Sequence, residues 1–581
     1  MPYKWEGGVA WAERCASSRS PSPRFVTAPL PFEPVLRRIG AEASRLGLEA
    51  HVVGGAVRDA ILGRETTDLD VVAVGPGSGV ALAQAVSRSL GVGPPAVYVA
   101  FGTAAVTVPR GPLAALMGVD DVAERLVVEF VGARRESYRA ESRKPVVEDG
   151  TLPQDLARRD FTVNALAASL RADSFGAVTD AFDGLADLRA RRLRTPLDPA
   201  VTFQDDPLRM LRAARFAAQL GFEVVPEAVH AMRQSAERVD IVSAERVTDE
   251  LGKLLAAPVP STGLGLLFRT GILERVLPEV TVLAGVEEVG GRAHKDNLWH
   301  TFEVVDNLAH LQRGVGVGDR AAGYDLWLRW AALLHDVGKA VTKRYEPKTG
   351  WTFHGHEDVG PREIIPAVFR RLRLPLGEPL DFVQTVVRLH HRPAALVDAD
   401  VTDSAVRRLL MDAGDDIEDL MLLVRADVTS KNARRVRKYL AGFDRVEARF
   451  QEVEARDHVR NWQPPVSGDE IKRELGLAEG VAVGMLKEWV REAVLDGTVP
   501  NEHDPAWAFV LERKAEAIRR GSLFTETIRQ LSGPEKRAVG AVKHALFWDD
   551  VPQDSGQARD FVRSVVADAL GGDGKEDDGD E

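Results

Sequence analysis

Between Pro31 and Leu170, short apolar runs are broken by glycines and polar residues, the texture of strands alternating with helices. Glu49 to Val53 reads as a strand running into Gly54-Gly55, and Leu69 to Val74 as a second. Ala96 to Val108 holds further β-rich stretches around Phe101-Gly102-Thr103, and Leu126 to Val131 is another strand. After Leu197, apolar residues recur three and four apart, which predicts helices. One helix is expected from Asp205 to Leu220, stopped by Gly221, and helices dominate from there to the end. The expected fold class is multidomain α/β plus all-α, with breaks near residues 195, 285, 440 and 570. That divides the chain into a flexible arm (1–30), an α/β head (31–195), a helical neck (196–285), a middle domain (286–440), a helical region (441–570) and an acidic tail (571–581). No internal repeat has a solenoid period.

A chain of 581 residues calls for three or more domains, and its 45% hydrophobic content is enough for sizeable cores. The 28% of charged residues fits a soluble globular protein. No apolar run is long enough to cross a bilayer, so no membrane partner is expected. Met1 to Arg24 lacks the apolar middle of a secretory signal and reads as a loose arm. The single cysteine, Cys15, rules out disulfide support and makes a reducing cytoplasm the simplest home. A net charge of −12 argues against coating nucleic acid through bulk positive charge. Three local basic clusters leave room for a groove, although each also fits a solvated face. They are Arg134, Arg135, Arg139, Arg143 and Lys144; Arg189, Arg191, Arg192 and Arg194; and Lys431, Arg434, Arg435, Arg437 and Lys438.

The main chemical signal is Gly54-Gly55-Ala56-Val57-Arg58-Asp59 followed by Thr67-Asp68-Leu69-Asp70. Glycines after a strand permit a tight turn and close approach to a ligand. The helix start that follows offers N–H groups to phosphate, with Arg58 as an added cation. Asp68 and Asp70 are two apart on a strand, so their carboxylates share a face. Such a pair repels itself unless a cation lies between, and magnesium suits oxygen ligands with room for substrate phosphates. Glu129, on a neighbouring expected strand, is a candidate third carboxylate that binds metal and helps deprotonate an attacking hydroxyl. An isolated Asp-x-Asp is more often a turn or a surface edge; the glycine-rich lead-in with flanking strands favours the metal.

Gly54 to Asp70 resembles the signature of the polymerase-β-like nucleotidyltransferases, specifically class II: CCA-adding enzymes and bacterial poly(A) polymerases. Three further motifs follow in order. Arg134-Arg-Glu-Ser-Tyr138 resembles the family's Arg-x-Glu-x-Tyr loop. Asp155-Leu-Ala-Arg-Arg-Asp-Phe-Thr-Val-Asn-Ala-Leu166 is similar to its Arg-Arg-Asp motif. Asp205-Asp-Pro-Leu-Arg209, continuing to Phe216, is similar to its Glu-Asp-x-x-Arg motif, with Asp205 where the family usually has Glu. The resemblance covers Pro31 to Leu277. It implies a nucleotidyltransferase head in which Asp160 accepts from the ribose 2′-hydroxyl while Arg158 and Arg159 face the triphosphate. Asp206 and Arg209, three apart, would read a base edge. A carboxylate accepts from the exocyclic amino group of C or A, and a guanidinium donates to the adjacent ring acceptor. U and G would leave the carboxylate unpaired, at a cost of roughly 1–3 kcal/mol. Arg212 and Arg215 would support this face or meet the primer. The plainer readings are a surface salt bridge for Arg158 or Arg159 and an intrahelical ion pair for Asp206 with Arg209.

A second constellation lies in the middle. The apolar run Trp330-Ala-Ala-Leu-Leu-His-Asp-Val-Gly-Lys339, with His300 before it and Asp427 after it, resembles the HD phosphohydrolase domain. The resemblance implies a divalent metal such as Mg2+, Mn2+ or Ni2+ on His300, His335, Asp336 and Asp427. His356, His390 and His391 stand where some of these domains carry extra ligands. In related CCA enzymes such a domain implies phosphodiesterase or phosphatase action on 2′,3′-cyclic or 2′-phosphate ends; a degenerate domain that only packs against tRNA is the alternative. Residues 464–490 resemble the module after the HD domain in bacterial CCA enzymes, which suggests holding the tRNA body, against a plain helical bundle.

The expected activity is template-independent addition of C, C and A to the 3′ end of tRNA from CTP and ATP with Mg2+. The expected partners are tRNA, CTP and ATP, with no obligatory protein partner. Poly(A), CC-only or A-only addition shares every head motif. An HD phosphohydrolase with a binding-only head and a non-catalytic RNA-binding protein are the remaining classes; the latter has no need of paired metal aspartates.

Overall fold

The computed structural model describes residues 26–66, 68–98, 102–137, 146–289, 291–314, 324–397, 402–430, 432–457, 464–532, 535 and 538–571. Cys15 and most of the arm, Thr67, Phe101, Tyr138, Arg139, Arg143, Lys144, Lys431 and the tail after 571 lie outside them, as does the side chain of Arg135. The chain divides into two compact units, one ending at Leu380 and the other starting at Asp381.

The first unit begins with a seven-stranded sheet. Its strands are β1 (Glu49–Val53), β2 (Asp68–Val74), β3 (Ala96–Tyr98), β4 (Thr103–Pro109) and β5 (Arg125–Gly132). A separate hairpin, β6 (Arg134–Ser137) with β7 (Val146–Asp149), precedes the last two, β8 (Leu166–Ser169) and β9 (Val178–Asp180). The sheet order is β3-β4-β5-β2-β1-β8-β9. β2 and β5 run parallel, while β1 pairs antiparallel with both β2 and β8. The connection from β2 to the parallel β5 includes the helix Ser78–Leu90, which packs on β4 and β5. One face of β2 is apolar and buried at Leu69 and Val71, while Asp68 and Asp70 stay exposed on the other, as period-two alternation requires.

The expected single helix from Asp205 to Leu220 is two helices, Pro199–Asp205 and Leu208–Leu220. The chain is extended at Asp206 (φ −138°, ψ 100°), because the ring of Pro207 disfavours helical geometry in the residue before it. Gly221 does end the second helix, in the left-handed conformation at φ 68°. Leu208–Leu220 packs against the helices Ala244–Leu255 and Pro260–Arg269. Farther along come Asn297–Gly314, Tyr324–Leu334, a small hairpin (Arg344–Glu346 with Gly350–Thr352) and Ile365–Leu372.

The second unit is helical among its described residues. It includes Asp403–Ala413, Ile417–Asp427, the 25-residue Ala433–Asp457, and a bundle of Gly468–Leu475, Val481–Leu495, His503–Gln530, Val539–Trp548 and Ser555–Gly571. The bundle closes over Val466, Ile471, Met485, Leu486, Val490, Val510, Val542 and Leu546.

Candidate active site and metal centres

Asp70 lies opposite Glu129 in the parallel register of β2 and β5, and opposite Val53 of β1. Asp68, Asp70 and Glu129 are the exposed positions of their strands, so three carboxylates stand on one face. Asp70 reaches solvent from within densely packed protein, and that partial loss of water, with the charge of Asp68, pushes its carboxyl up against the pull of Arg159 and Arg212. Glu129 is raised by burial and then by the charges of Asp70 and Asp68. Three carboxylates grouped on one face favour a cation between them, and an all-oxygen donor set suits a hard divalent ion.

Gly54 turns the chain out of β1 at φ 72° and ψ −129°. A Cβ there would lie 2.8 Å from Arg159 Nη1 and 3.8 Å from Asp70 Oδ2. The glycine therefore brings bare backbone against a guanidinium beside the acidic face. Gly55 starts the helix Gly55–Leu62. Arg58 departs from its expected place: it is buried. It donates to Oδ1 and Oδ2 of Asp59 at 2.9 and 2.6 Å and to Asn164 Oδ1 at 2.7 Å, over the ring of Phe216.

Asp155 is fully buried and clamps both arginines that follow. Arg158 donates to its Oδ1 from Nε (3.0 Å) and Nη2 (2.6 Å), and Arg159 to its Oδ2 (3.1 Å). Burial alone would raise this carboxyl, but the two guanidiniums hold it below the usual range. Neither arginine is the isolated surface pair of the plainer reading. Asp160 is also buried. Its Oδ1 accepts from Phe161 N (2.8 Å) and Asn164 Nδ2 (3.0 Å), and its Oδ2 from Arg212 Nε (2.7 Å) and Nη2 (2.6 Å). Burial works against the charge, but Arg212 and Asn164 outweigh it and keep Asp160 far below the ordinary carboxylate range.

The side chains of Asp206 and Arg209 bond elsewhere, and the two residues meet only through the backbone, Arg209 N donating to Asp206 O at 3.0 Å. Asp206 accepts from Leu208 N (3.2 Å) and from Arg246 Nη2 (3.0 Å). Arg209, buried, donates to Arg158 O at 2.6 Å and Thr202 O at 3.4 Å. Arg215 donates to Glu250 Oε2 at 2.6 Å and Gln219 Oε1 at 2.9 Å, and the guanidiniums of Arg58, Arg212 and Arg215 surround the Phe216 ring at 5.1, 5.5 and 3.8 Å. The helix Leu208–Leu220 is thus bolted to the 155–160 segment at Arg158–Arg209 and Asp160–Arg212. Sequence reasoning missed Asn164, Arg246 and Glu250. The only trace of the last two is an Arg and a Glu four apart on one helix, too common to single out.

In the later part of the first unit, His335 follows the helix Tyr324–Leu334 and Asp336 is wholly buried beside it. Asp336 Oδ2 lies 3.3 Å from His335 Nε2, 3.6 Å from His300 Nε2 and 2.7 Å from Lys339 Nζ; its Oδ1 lies 3.5 Å from His356 Nε2. Burial would raise this carboxyl, but His335, His356 and Lys339 hold it well below the usual range. His335 Nδ1 meets Ala332 O at 2.8 Å and His356 Nδ1 meets Phe353 O at 2.8 Å. A proton on Nδ1 leaves the Nε2 lone pair toward the carboxylate, the tautomer that metal ligation needs. His300 differs: its Nδ1 lies 3.0 Å from Lys295 Nζ. Gly338 makes the approach of His356 possible, since a Cβ there would sit 2.2 Å from His356 O.

In the second unit, His390 is buried with Nδ1 2.6 Å from Val387 O, and its ring lies 3.9 Å from that of His391. Both line a cavity of about 400 Å3 together with Asp427, which ends the helix Ile417–Asp427. Imidazole nitrogens with carboxylate oxygens, in either unit, form donor sets suited to a divalent metal.

Comparison with known proteins adds to this geometry. Residues 50–194 match the family model of the poly A polymerase head domain, 221–283 that of a probable RNA and SrmB-binding site of polymerase A, and 298–431 that of the HD domain. The chain is 34% identical over 471 residues to the CC-adding tRNA nucleotidyltransferase of Thermus thermophilus, covering 80% of this chain and 93% of that protein. It is 35% identical over 376 residues to the A-adding tRNA nucleotidyltransferase of Deinococcus radiodurans (63% and 80%). It is 33% identical over 425 residues to the multifunctional CCA protein of Xanthomonas campestris pv. campestris (71% and 92%). Among solved structures, a CCA-adding enzyme from Bacillus stearothermophilus in complex with CTP shares the fold with a TM-score of 0.54, at 23% identity over 84% of this chain and 99% of that one.

Proposed function

The chain belongs to the tRNA nucleotidyltransferase family, and on that footing we propose that it adds C, C and A to the 3′ end of tRNA from CTP and ATP without a template. The observation that carries this reading is the row of Asp68, Asp70 and Glu129 on one sheet face beside the glycine turn and Arg159. Asp68 and Asp70, with Glu129 as third ligand, hold Mg2+. When bound, the ion supplies charge neutralisation for the attacking 3′-hydroxyl and the leaving pyrophosphate. Glu129, raised by burial and then by the charges of Asp70 and Asp68, accepts the proton of the attacking hydroxyl.

Arg158 and Arg159 meet the triphosphate, with Asp155 holding both guanidiniums. Arg58 acts through packing, fixing the glycine turn against Asn164 and Phe216. Asp160 already accepts four hydrogen bonds, about the capacity of a carboxylate. A ribose 2′-hydroxyl therefore reaches it by displacing one arm of Arg212. Asp206 likewise exchanges Arg246 for the amino group of C or A, while Arg209 donates to the adjacent ring acceptor. Arg215, tied to Glu250, supports the face from behind.

The second activity in this reading is hydrolysis of 2′,3′-cyclic or 2′-phosphate ends. His300, His335, Asp336 and Asp427 are taken as the ligands of a divalent metal such as Mg2+, Mn2+ or Ni2+. The fully buried Asp336, ringed by three histidines and Lys339, favours an intact centre. We take tRNA as the macromolecular partner and the cytoplasm as the place of action.

The test offers tRNAs ending before CCA and after CC, and an unrelated RNA, with each labelled nucleotide supplied separately. Addition of C, C and A followed by arrest is the expected result. Arrest after CC, addition of A alone, or long A tails on any RNA would each replace the reading by one of its relatives.

A further inference from the structure

Glu250 is a buried acid beside the nucleotide-selecting face, on the helix Ala244–Leu255 that packs against Leu208–Leu220. Burying a carboxylate is costly unless its oxygens find partners. Arg215 accounts for one of them, donating from Nε to Oε2 at 2.6 Å. The other, Oε1, lies 3.5 Å from Arg212 Nη1, the far edge of a hydrogen bond. Arg212 is meanwhile gripped by Asp160, whose Oδ2 accepts from its Nε at 2.7 Å and its Nη2 at 2.6 Å. One guanidinium thus stands between two buried carboxylates, held by the first and within reach of the second. Its charge is favoured by Asp160 foremost and then, against burial, by Glu250.

A ribose 2′-hydroxyl that donates to Asp160 needs room on Oδ2, and Arg212 fills that oxygen. Pulling a guanidinium off a buried carboxylate with nothing to receive it breaks an ion pair. Passing it to a second carboxylate keeps the pair count unchanged and needs only the 3.5 Å gap to close. Arg215 on Oε2 fixes the Glu250 carboxylate so that Oε1 faces the incoming arm. We propose that Glu250 is a positioning residue for sugar selection, receiving Arg212 when a ribose 2′-hydroxyl takes its place on Asp160. A 2′-deoxyribose makes no such demand and leaves Arg212 where it is. The inference rests on the reading of Asp160 as the acceptor of the 2′-hydroxyl. It adds that the free energy of that contact is set by an acid that never touches the nucleotide.

The test is calorimetric titration of the full chain, in magnesium, with CTP and with its 2′-deoxy counterpart. Base and triphosphate are the same in both ligands, so their contacts cancel in the ratio of the two affinities. Wild type is expected to favour CTP. Glu250→Gln keeps the shape and one oxygen for Arg215 but leaves Arg212 without a second carboxylate. It should weaken CTP on the order of tenfold and the deoxynucleotide by no more than about twofold, so the ratio falls. Arg215→Gln removes the brace and keeps the Glu250 charge; both affinities may be lowered by it, but the ratio should hold or rise. Thermal melting checks that the variants are folded. If Glu250→Gln is not, Glu250→Asp is read in its place: it keeps the charge one methylene farther back, and the ratio should fall in the same direction by less. Equal losses for the two nucleotides in the Glu250 variant, or an equal fall of the ratio with Arg215→Gln, would make Glu250 a brace and overturn the proposal. Wild type that binds the two nucleotides equally, or Asp160→Asn that leaves the ratio unchanged, overturns instead the reading of Asp160, so the two failures are distinguishable.

Discussion

Asp155→Asn keeps the shape of a side chain with no exposure and removes its charge. The wild-type carboxylate accepts three charge-assisted hydrogen bonds from Arg158 and Arg159, whose side chains are only 20% and 16% exposed. Removing one partner of a buried ion pair costs about 3–5 kcal/mol. Because both guanidiniums keep an edge toward water, the lower end applies, about 3 kcal/mol, or on the order of a hundredfold in the local opening equilibrium. Hydrogen exchange of the buried β8 amides, Leu166 to Ser169, reads that opening directly. The loss should spread to function, since Arg158 O also accepts from Arg209, the proposed base reader, so KM for both CTP and ATP should rise. The pH dependence follows from sign. Asp155 has its folded pKa lowered, so its contribution is fully present above the ordinary value near 3.8 and fades as pH falls through the folded one. The gap between wild type and variant should be constant from pH 6 to 8 and narrow below about pH 4. Unchanged β8 exchange at pH 7 would show that Asp155 is not the clamp.

Gly54→Ala puts a side chain into a backbone conformation suited to glycine and displaces Arg159; it should cost about 1–3 kcal/mol in chemical denaturation and raise KM for both nucleotides. Gly338→Ala sets a Cβ 2.2 Å from a backbone oxygen of His356, an overpacking of about 1–3 kcal/mol. It should abolish cyclic-phosphate hydrolysis while nucleotide addition stays within about twofold. Raised carboxyls at Asp70 and Glu129 weaken the metal-free head as pH climbs through their range, and a bound divalent ion cancels that cost. Magnesium should therefore bind more tightly and raise the melting temperature more at pH 7.5 than at pH 5; equal shifts would contradict the carboxylate cluster.

Much of the head was legible because its signals are local. The strand Glu49–Val53 matches its expected bounds, and the period-two spacing that put Asp68 and Asp70 on one face is visible in four residues. β8 escaped notice because Leu-Ala-Ala-Ser is buried on both sides and shows no alternation. The break at Asp206 was readable in principle from Pro207, but the apolar periodicity on either side masked it. What the sequence hides is pairing across distance. Nothing near Arg58 announces that it turns inward to Asn164, 106 residues away, or that Arg212 caps Asp160 across 52. A motif names residue types that can touch a nucleotide; it does not say which of them the free protein has already paired with one another.

The central claim is that Asp68 and Asp70 hold the ion on which nucleotide addition depends. Its most direct test is the single-turnover rate of CMP transfer to a tRNA lacking CCA, in magnesium, for wild type and Asp70→Ala. The variant should still bind CTP within a few-fold and should transfer CMP at least about a thousandfold more slowly. Transfer at the wild-type rate would contradict the claim.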